Sequence, residues 1–154
     1  MFKKLLFKFV GIFLKLYWRI VQPFTIGVRA LVIDNKDQVL LVKHTYCDLW
    51  YLPGGGVNKR EALVCAIKRE LKEELNLNVK DKPSLLATYS NFFGYKSDFV
   101  SIFIIKEFDL APEQNLEIED WAFFDPKDIP STTSKGTKKR LAEYFDHQEI
   151  DYIW

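Results

Sequence analysis

From Phe24 onward the hydrophobic positions fall into short runs separated by polar turns. Phe24–Asp34 is rich in aliphatic and β-branched residues and ends at Asp34-Asn35-Lys36-Asp37, a turn signal. Gln38–His44 predicts a second strand, so residues 24–44 predict a hairpin. A loop over Thr45–Trp50 leads into Tyr51–Val57, a short extended piece running into three glycines. Arg60–Leu75 then takes up helical spacing, with Ala62, Leu63, Cys65 and Ala66 on its less polar side. Ser84–Phe93 and Asp98–Phe108 predict strands around Gly94, followed by a polar loop at Asp109–Glu119 and an aromatic-rich strand at Asp120–Phe124. Two prolines mark a turn over Asp125–Pro130, and Thr137–Phe145 predicts a closing helix. Strands and helices interleave without a regular βαβ rhythm. A layered α/β or α+β fold with a mixed sheet therefore fits better than a doubly wound one. No internal repeat is visible.

Upstream of Pro23 the pattern is different. Lys3, Lys4, Lys8, Gly11, Lys15 and Arg19 share one side of a helical wheel, and Phe2, Leu6, Phe9, Phe13, Leu16 and Ile20 fall largely opposite. This predicts a basic amphipathic helix over residues 1–22, ended by Pro23, ahead of a domain over 23–150. Lys8 and Lys15 interrupt the apolar run and no small-residue cleavage site follows, which argues against a signal peptide. The same cations argue against a membrane span. Two roles stay open: peripheral contact with an anionic membrane surface, or packing on the domain or on a second copy as a homodimer.

At 154 residues and 48% hydrophobic content, the chain is long enough for one domain with a substantial core. Its net charge of +1 hides an asymmetry, because six cations and no acid precede Asp34. The acidic remainder is a poor generic binder of nucleic-acid polymers. Cys47 and Cys65 cannot supply a disulfide framework, which fits a reduced, cytoplasmic setting. Cys65 is expected in the core. His44 and His147 read as strand-end or surface residues rather than ligands.

Chemistry concentrates between Gly55 and Leu77. Glu70, Glu73 and Glu74 are spaced i, i+3 and i+4, so three carboxylates share one helix face. A solvated helix compensated by Lys68, Arg69 and Lys72 would explain that face, and so would a site for a hard cation. Pro53-Gly54-Gly55-Gly56 feeds this helix, and glycines let backbone approach a ligand closely. The run lacks the Gly-Lys-Ser/Thr ending of a P-loop.

These residues resemble the Nudix box, G-x5-E-x7-R-E-U-x-E-E-x-G-U, where U is a bulky aliphatic residue. Gly55, Glu61, Arg69, Glu70, Leu71, Glu73, Glu74 and Leu77 match it, and Asn76 stands where the family has glycine. That position ends the helix and calls for a left-handed backbone, where Asn is the usual substitute. The resemblance extends more loosely over residues 24–147, through Trp50–Gly56 and Glu117–Asp125.

The resemblance implies a Nudix α/β/α sandwich with a mixed β-sheet. It implies a Mg²⁺-dependent pyrophosphohydrolase, with Mn²⁺ as an alternative ion, acting on the diphosphate linkage of a small-molecule nucleotide. Glu70, Glu73, Glu74 and the Gly54 carbonyl would be the metal ligands, with Arg69 and Glu61 orienting the catalytic helix. Glu70 is one candidate for the general base, and Asp98 and Glu119 are the alternatives. Trp50, Tyr51, Phe92, Phe93, Tyr95 and Trp121 are candidates for stacking a base, against a reading in which they build the core. The rival reading of the whole chain is a non-catalytic Nudix-fold module that senses a nucleotide or binds a protein.

Overall fold

The computed structural model describes residues 24–93, 96–111 and 116–154. The amphipathic helix expected over 1–22 lies outside the described residues. The elements are strands β1 (Phe24–Val32), β2 (Val39–His44) and β3 (Trp50–Tyr51), helix α1 (Leu63–Leu75), and strands β4 (Leu77–Val79), β5 (Ser84–Phe93) and β6 (Lys96–Ile105). Strands β7 (Phe108–Leu110) and β8 (Ile118–Phe124) and helix α2 (Lys135–Phe145) follow.

Three ladders organise the strands: β1-β6-β5, β3-β2-β8 and β4-β7. β1 runs parallel to β6, and the other pairings are antiparallel, so the strand arrangement is mixed. The side chains of β1 alternate between two cores. Val28, Ala30 and Val32 face Ala66, Ile67, Leu71 and Leu75 of α1. Leu31, with Ile33 just beyond the strand, joins Leu41, Tyr89, Ile102 and, from α2, Leu141. One helix therefore covers each face, which is the α/β/α sandwich the sequence implied. Strands covered on both faces read as near-continuous apolar runs, as Ala30–Ile33 and Val39–Val42 do.

The expected hairpin over 24–44 forms only as a turn. Asp34 Oδ1 accepts hydrogen bonds from the backbone N–H groups of Lys36 (2.9 Å) and Gln38 (2.8 Å), and Asp37 takes a left-handed conformation. Beyond a single bridge between Ile33 and Val39, the two strands part into different ladders. β1 has both edges occupied, by β6 on one side and by the glycine-rich segment on the other. Val28 N–H donates to Gly55 C=O (2.9 Å), Ala30 N–H to Pro53 C=O (2.8 Å), and Val57 N–H to Ile26 C=O (2.9 Å). Glycine is needed at Gly54, whose φ of 129° and contact with the Val28 carbonyl leave no room for a Cβ.

Candidate active site

Helix α1 starts at Leu63, three residues later than the spacing suggested, with Ala62 as its N-cap. Glu61 therefore lies ahead of the helix, on the turn it shares with Asn58, where it accepts the Asn58 N–H. This frees it to meet Arg69, which an i, i+8 pair within one helix cannot do. At the other end Asn76 caps the helix with φ 49° and ψ 34°, the left-handed conformation expected of it.

Arg69 is the hub of the acidic face. Its Nε and Nη2 donate to the two oxygens of Glu61, both at 2.8 Å. Its Nη1 donates to Glu70 at 2.7 Å and Glu73 at 3.1 Å, and Nη2 also reaches the Gly56 carbonyl at 2.9 Å. One guanidinium thus braces three carboxylates and the glycine loop. The fork on Glu61, together with the Asn58 N–H, holds that carboxyl down at about 2. The same carboxylates, Glu61 foremost and Glu70 next, raise the guanidinium further above its ordinary value.

Glu74 points the other way. It is 5% exposed, and its Oε2 accepts the Gly54 N–H at 2.8 Å. Burial pushes its pKa up to about 8, against the opposing pull of that N–H and of the Arg29 charge. Around it gather His44 and Glu117, with one ligand-capable atom of each of the three within 4.8 Å of the others. Burial, aided by Arg29, lowers the pKa of His44. The Gly54 carbonyl accepts a hydrogen bond from Arg29 Nη1, which also donates to Leu52 C=O at 3.2 Å.

The donor set fits a divalent cation. Glu70, Glu73, Glu74 and Glu117 offer hard carboxylate oxygens, and of these Glu74 and Glu117, with His44, have ligand-capable atoms gathered within 4.8 Å of one another. The absence of a Cβ at Gly55 lets the Glu70 carboxylate pack directly against the glycine-loop backbone, in the place a Cβ would take. The burial of Glu74 is what a nearby cation would offset.

Asp98 and Glu119 lie outside this cluster. Asp98, on β6, accepts the Thr25 hydroxyl at 2.8 Å, and Glu119, on β8, pairs with Lys43 at 2.9 Å. Asp98 instead lines a cavity of about 270 Å³ with Arg29, Tyr51, Asn91, Ser134 and Trp154. Of the aromatic candidates, Trp50 packs edge-on against Phe124 at 5.0 Å, and Tyr51 reaches the cavity. Phe92 and Trp121 are solvent-exposed, while Tyr95 and the side chain of Phe93 lie outside the described parts.

Two expectations are corrected. Cys65 is exposed, because it turns to the solvent side just before the buried pair Ala66–Ile67. His44 ends its strand as expected but is 5% exposed, and it stands beside carboxylates rather than at the surface. His147 is exposed. The residues that sequence reasoning missed are Glu117, Arg29 and His44 itself.

The chain belongs to the Nudix family: the NUDIX domain model matches residues 23–146. An RNA pyrophosphohydrolase of Ruthia magnifica subsp. Calyptogena magnifica is 35% identical over 74 residues, which cover 48% of this chain and 41% of that protein. A putative 8-oxo-dGTP diphosphatase of Bacillus subtilis (strain 168) is 40% identical over 79 residues, covering 46% of this chain and 53% of the relative. The matched stretches thus span about half or less of these relatives' own lengths. The crystal structure of a MutT NUDIX hydrolase from Burkholderia pseudomallei shares the fold at a TM-score of 0.70 and 21% identity, covering 79% of this chain and 98% of that one.

Proposed function

We propose that this chain is a Mg²⁺-dependent pyrophosphohydrolase that cleaves the diphosphate linkage of a nucleotide. The observation that carries this reading is Arg69 holding Glu61, Glu70 and Glu73 against the Gly54–Gly56 loop while Glu74 stays buried beneath it. Glu70, Glu73, Glu74 and the Gly54 carbonyl are the proposed ligands. When bound by these residues, a divalent cation would supply charge neutralisation for the phosphate oxygens and would lower the pKa of water. Arg69 keeps the carboxylates oriented before substrate arrives, which removes a reorganisation cost from the reaction. Glu70 has one oxygen held by Arg69 and turns its carboxylate to the Gly55 backbone, and we assign it the proton of the attacking water.

Arg29 connects this centre to the substrate cavity. It lines the cavity and also donates to the Gly54 carbonyl. A nucleotide whose base sits among Tyr51, Asn91 and Trp154 would direct its phosphates past Arg29 towards the glycine loop. In this reading the arm over 1–22 is separate from the domain, and the start of the family match at residue 23 supports that division. A cytoplasmic location is part of the same reading. Among the described residues no helix is long and apolar enough to cross a membrane.

The relative named for RNA supports a second substrate class, a triphosphorylated RNA 5′ end, which presents the same linkage. The test is a panel with Mg²⁺ or Mn²⁺: canonical and oxidised (d)NTPs, ADP-ribose, dinucleoside polyphosphates, nucleotide sugars and a 5′-triphosphorylated oligoribonucleotide. Released phosphate, pyrophosphate or nucleoside monophosphate is measured, with Glu73→Gln as control. Turnover lost in the variant supports the enzyme and names its substrate class. No turnover across the panel, or turnover indifferent to Glu73→Gln, overturns the reading in favour of a binding module.

A further inference from the structure

We propose that His44 is a metal ligand, and that with Glu74 and Glu117 it forms a mixed nitrogen–oxygen site preferring a first-row divalent transition ion to Mg²⁺. The inference deepens the metal-dependent reading above and rests on it for the site's purpose.

Three separate elements bring the donors together. His44 closes β2, opposite Ile118 of β8, at a register irregularity between Lys43 and His44. Such a break re-aims the side chain beside it. Glu117 is pinned next to it by main-chain bonding, with Thr45 N–H donating to Glu117 C=O at 3.0 Å and the Thr45 hydroxyl to Leu116 C=O at 3.2 Å. Glu74 arrives from α1, and the Gly54 N–H fixes its Oε2. The three ligand-capable atoms lie within 4.8 Å of one another. Donors about 2.1 Å from one ion stand about 3 Å apart when adjacent and about 4.2 Å apart when opposed. Side-chain movements of about an ångström would close the set.

An independent observation points to a ligand. His44 is 5% exposed, and its Nδ1 is buried without a hydrogen-bond partner. Buried polar atoms are nearly always satisfied, so an orphan of this kind calls for an explanation. The ring is also held in place, stacked on Tyr46 at 5.0 Å and flanked by Tyr51 at 6.1 Å. Arg69 does not compete for this corner, since its bonds go to Glu61, Glu70, Glu73 and Gly56. Mg²⁺ favours an all-oxygen shell, whereas imidazole nitrogen favours transition ions. One imidazole among two carboxylates therefore shifts selectivity towards the latter.

The experiment uses the full chain without nucleotide and Mn²⁺ as the probe. Pulsed electron paramagnetic resonance of the Mn²⁺-loaded wild type is expected to show ¹⁴N modulation from a coordinated imidazole. His44→Gln is expected to lose that modulation and to bind Mn²⁺ at least about tenfold more weakly, with Mg²⁺ affinity changed less than about twofold in calorimetric titration. Absence of ¹⁴N modulation in the wild type overturns the proposal, and so does an unchanged Mn²⁺-to-Mg²⁺ affinity ratio in a folded His44→Gln. If that variant does not fold, the wild-type spectrum still decides, with Glu117→Gln as the second variant. Nitrogen coupling without turnover of any panel substrate would refute the hydrolase alone. Turnover without nitrogen coupling would refute this site alone.

Discussion

Glu74 makes the stability of the metal-free protein depend on pH in an unusual direction. Its folded-state pKa of about 8 lies above the ordinary value of 4.5. The folded protein therefore binds that proton more tightly than the unfolded chain does. The resulting stabilisation is fully present below pH 4.5 and is lost as pH rises through 8. At about 1.4 kcal/mol per pKa unit, the whole interval is on the order of 5 kcal/mol. His44 works in the opposite sense below pH 6.5, because its folded pKa is lowered. The clean window is thus pH 6.5 to 8, where Glu74 accounts for about 2 kcal/mol. For a chain of this size that is roughly 4–8 °C in Tm. The assay is thermal unfolding followed by circular dichroism across pH 5 to 9 with a chelator present. Wild type should lose stability through the window, and Glu74→Gln, which keeps an oxygen for the Gly54 N–H, should not. Saturating divalent cation should raise the wild-type Tm most at pH 8, since binding to the folded state stabilises by mass action. Equal pH slopes in wild type and Glu74→Gln would refute the reasoning.

Arg69→Lys keeps the charge but cannot span Glu61, Glu70, Glu73 and the Gly56 carbonyl. It should lower kcat by about a hundredfold or more in steady-state assays, while the circular dichroism spectrum stays that of a folded protein. Gly55→Ala drives a methyl group into the Glu70 carboxylate, whereas Gly56→Ala meets nothing within 4 Å. The first should cost about tenfold or more in turnover and the second little, and equal effects would remove Glu70 from the centre. Leu71, fully buried against β1, should lose about 2–5 kcal/mol of stability on Leu71→Ala, read from urea unfolding. If the basic arm lies on membranes, the full chain should sediment with anionic vesicles and a chain beginning at Pro23 should not. Both remaining in the supernatant would leave packing or dimerisation.

The helical part of the site was readable because its chemistry is local. Glu70, Glu73 and Glu74 sit on one face by periodicity alone, and Asn76 announces its left-handed cap. Periodicity does not report what lies opposite that face. Glu73 and Glu74 are neighbours in sequence, yet one is an exposed partner of Arg69 and the other a buried partner of Gly54. That difference arises from the glycine loop docking on β1, a contact between residues some 25 positions apart. The same docking occupies the edge of β1 that a hairpin would use, which is why the expected β1–β2 turn forms and the expected strand pairing does not. β7 was hidden for a related reason: its three alternating residues, Phe108–Leu110, are too short a run to mark a strand by themselves, and they owe their place to pairing with the distant β4. His44 and Glu117 belong to this long-range class, placed by β2–β8 pairing and by the break in its register. Local sequence thus specifies the acidic helix, while non-local strand pairing decides which of its carboxylates faces the arginine and which faces the histidine. The division separates a braced outer group from a buried inner one, and the proposed nitrogen ligand and the pH dependence of stability both belong to the inner group.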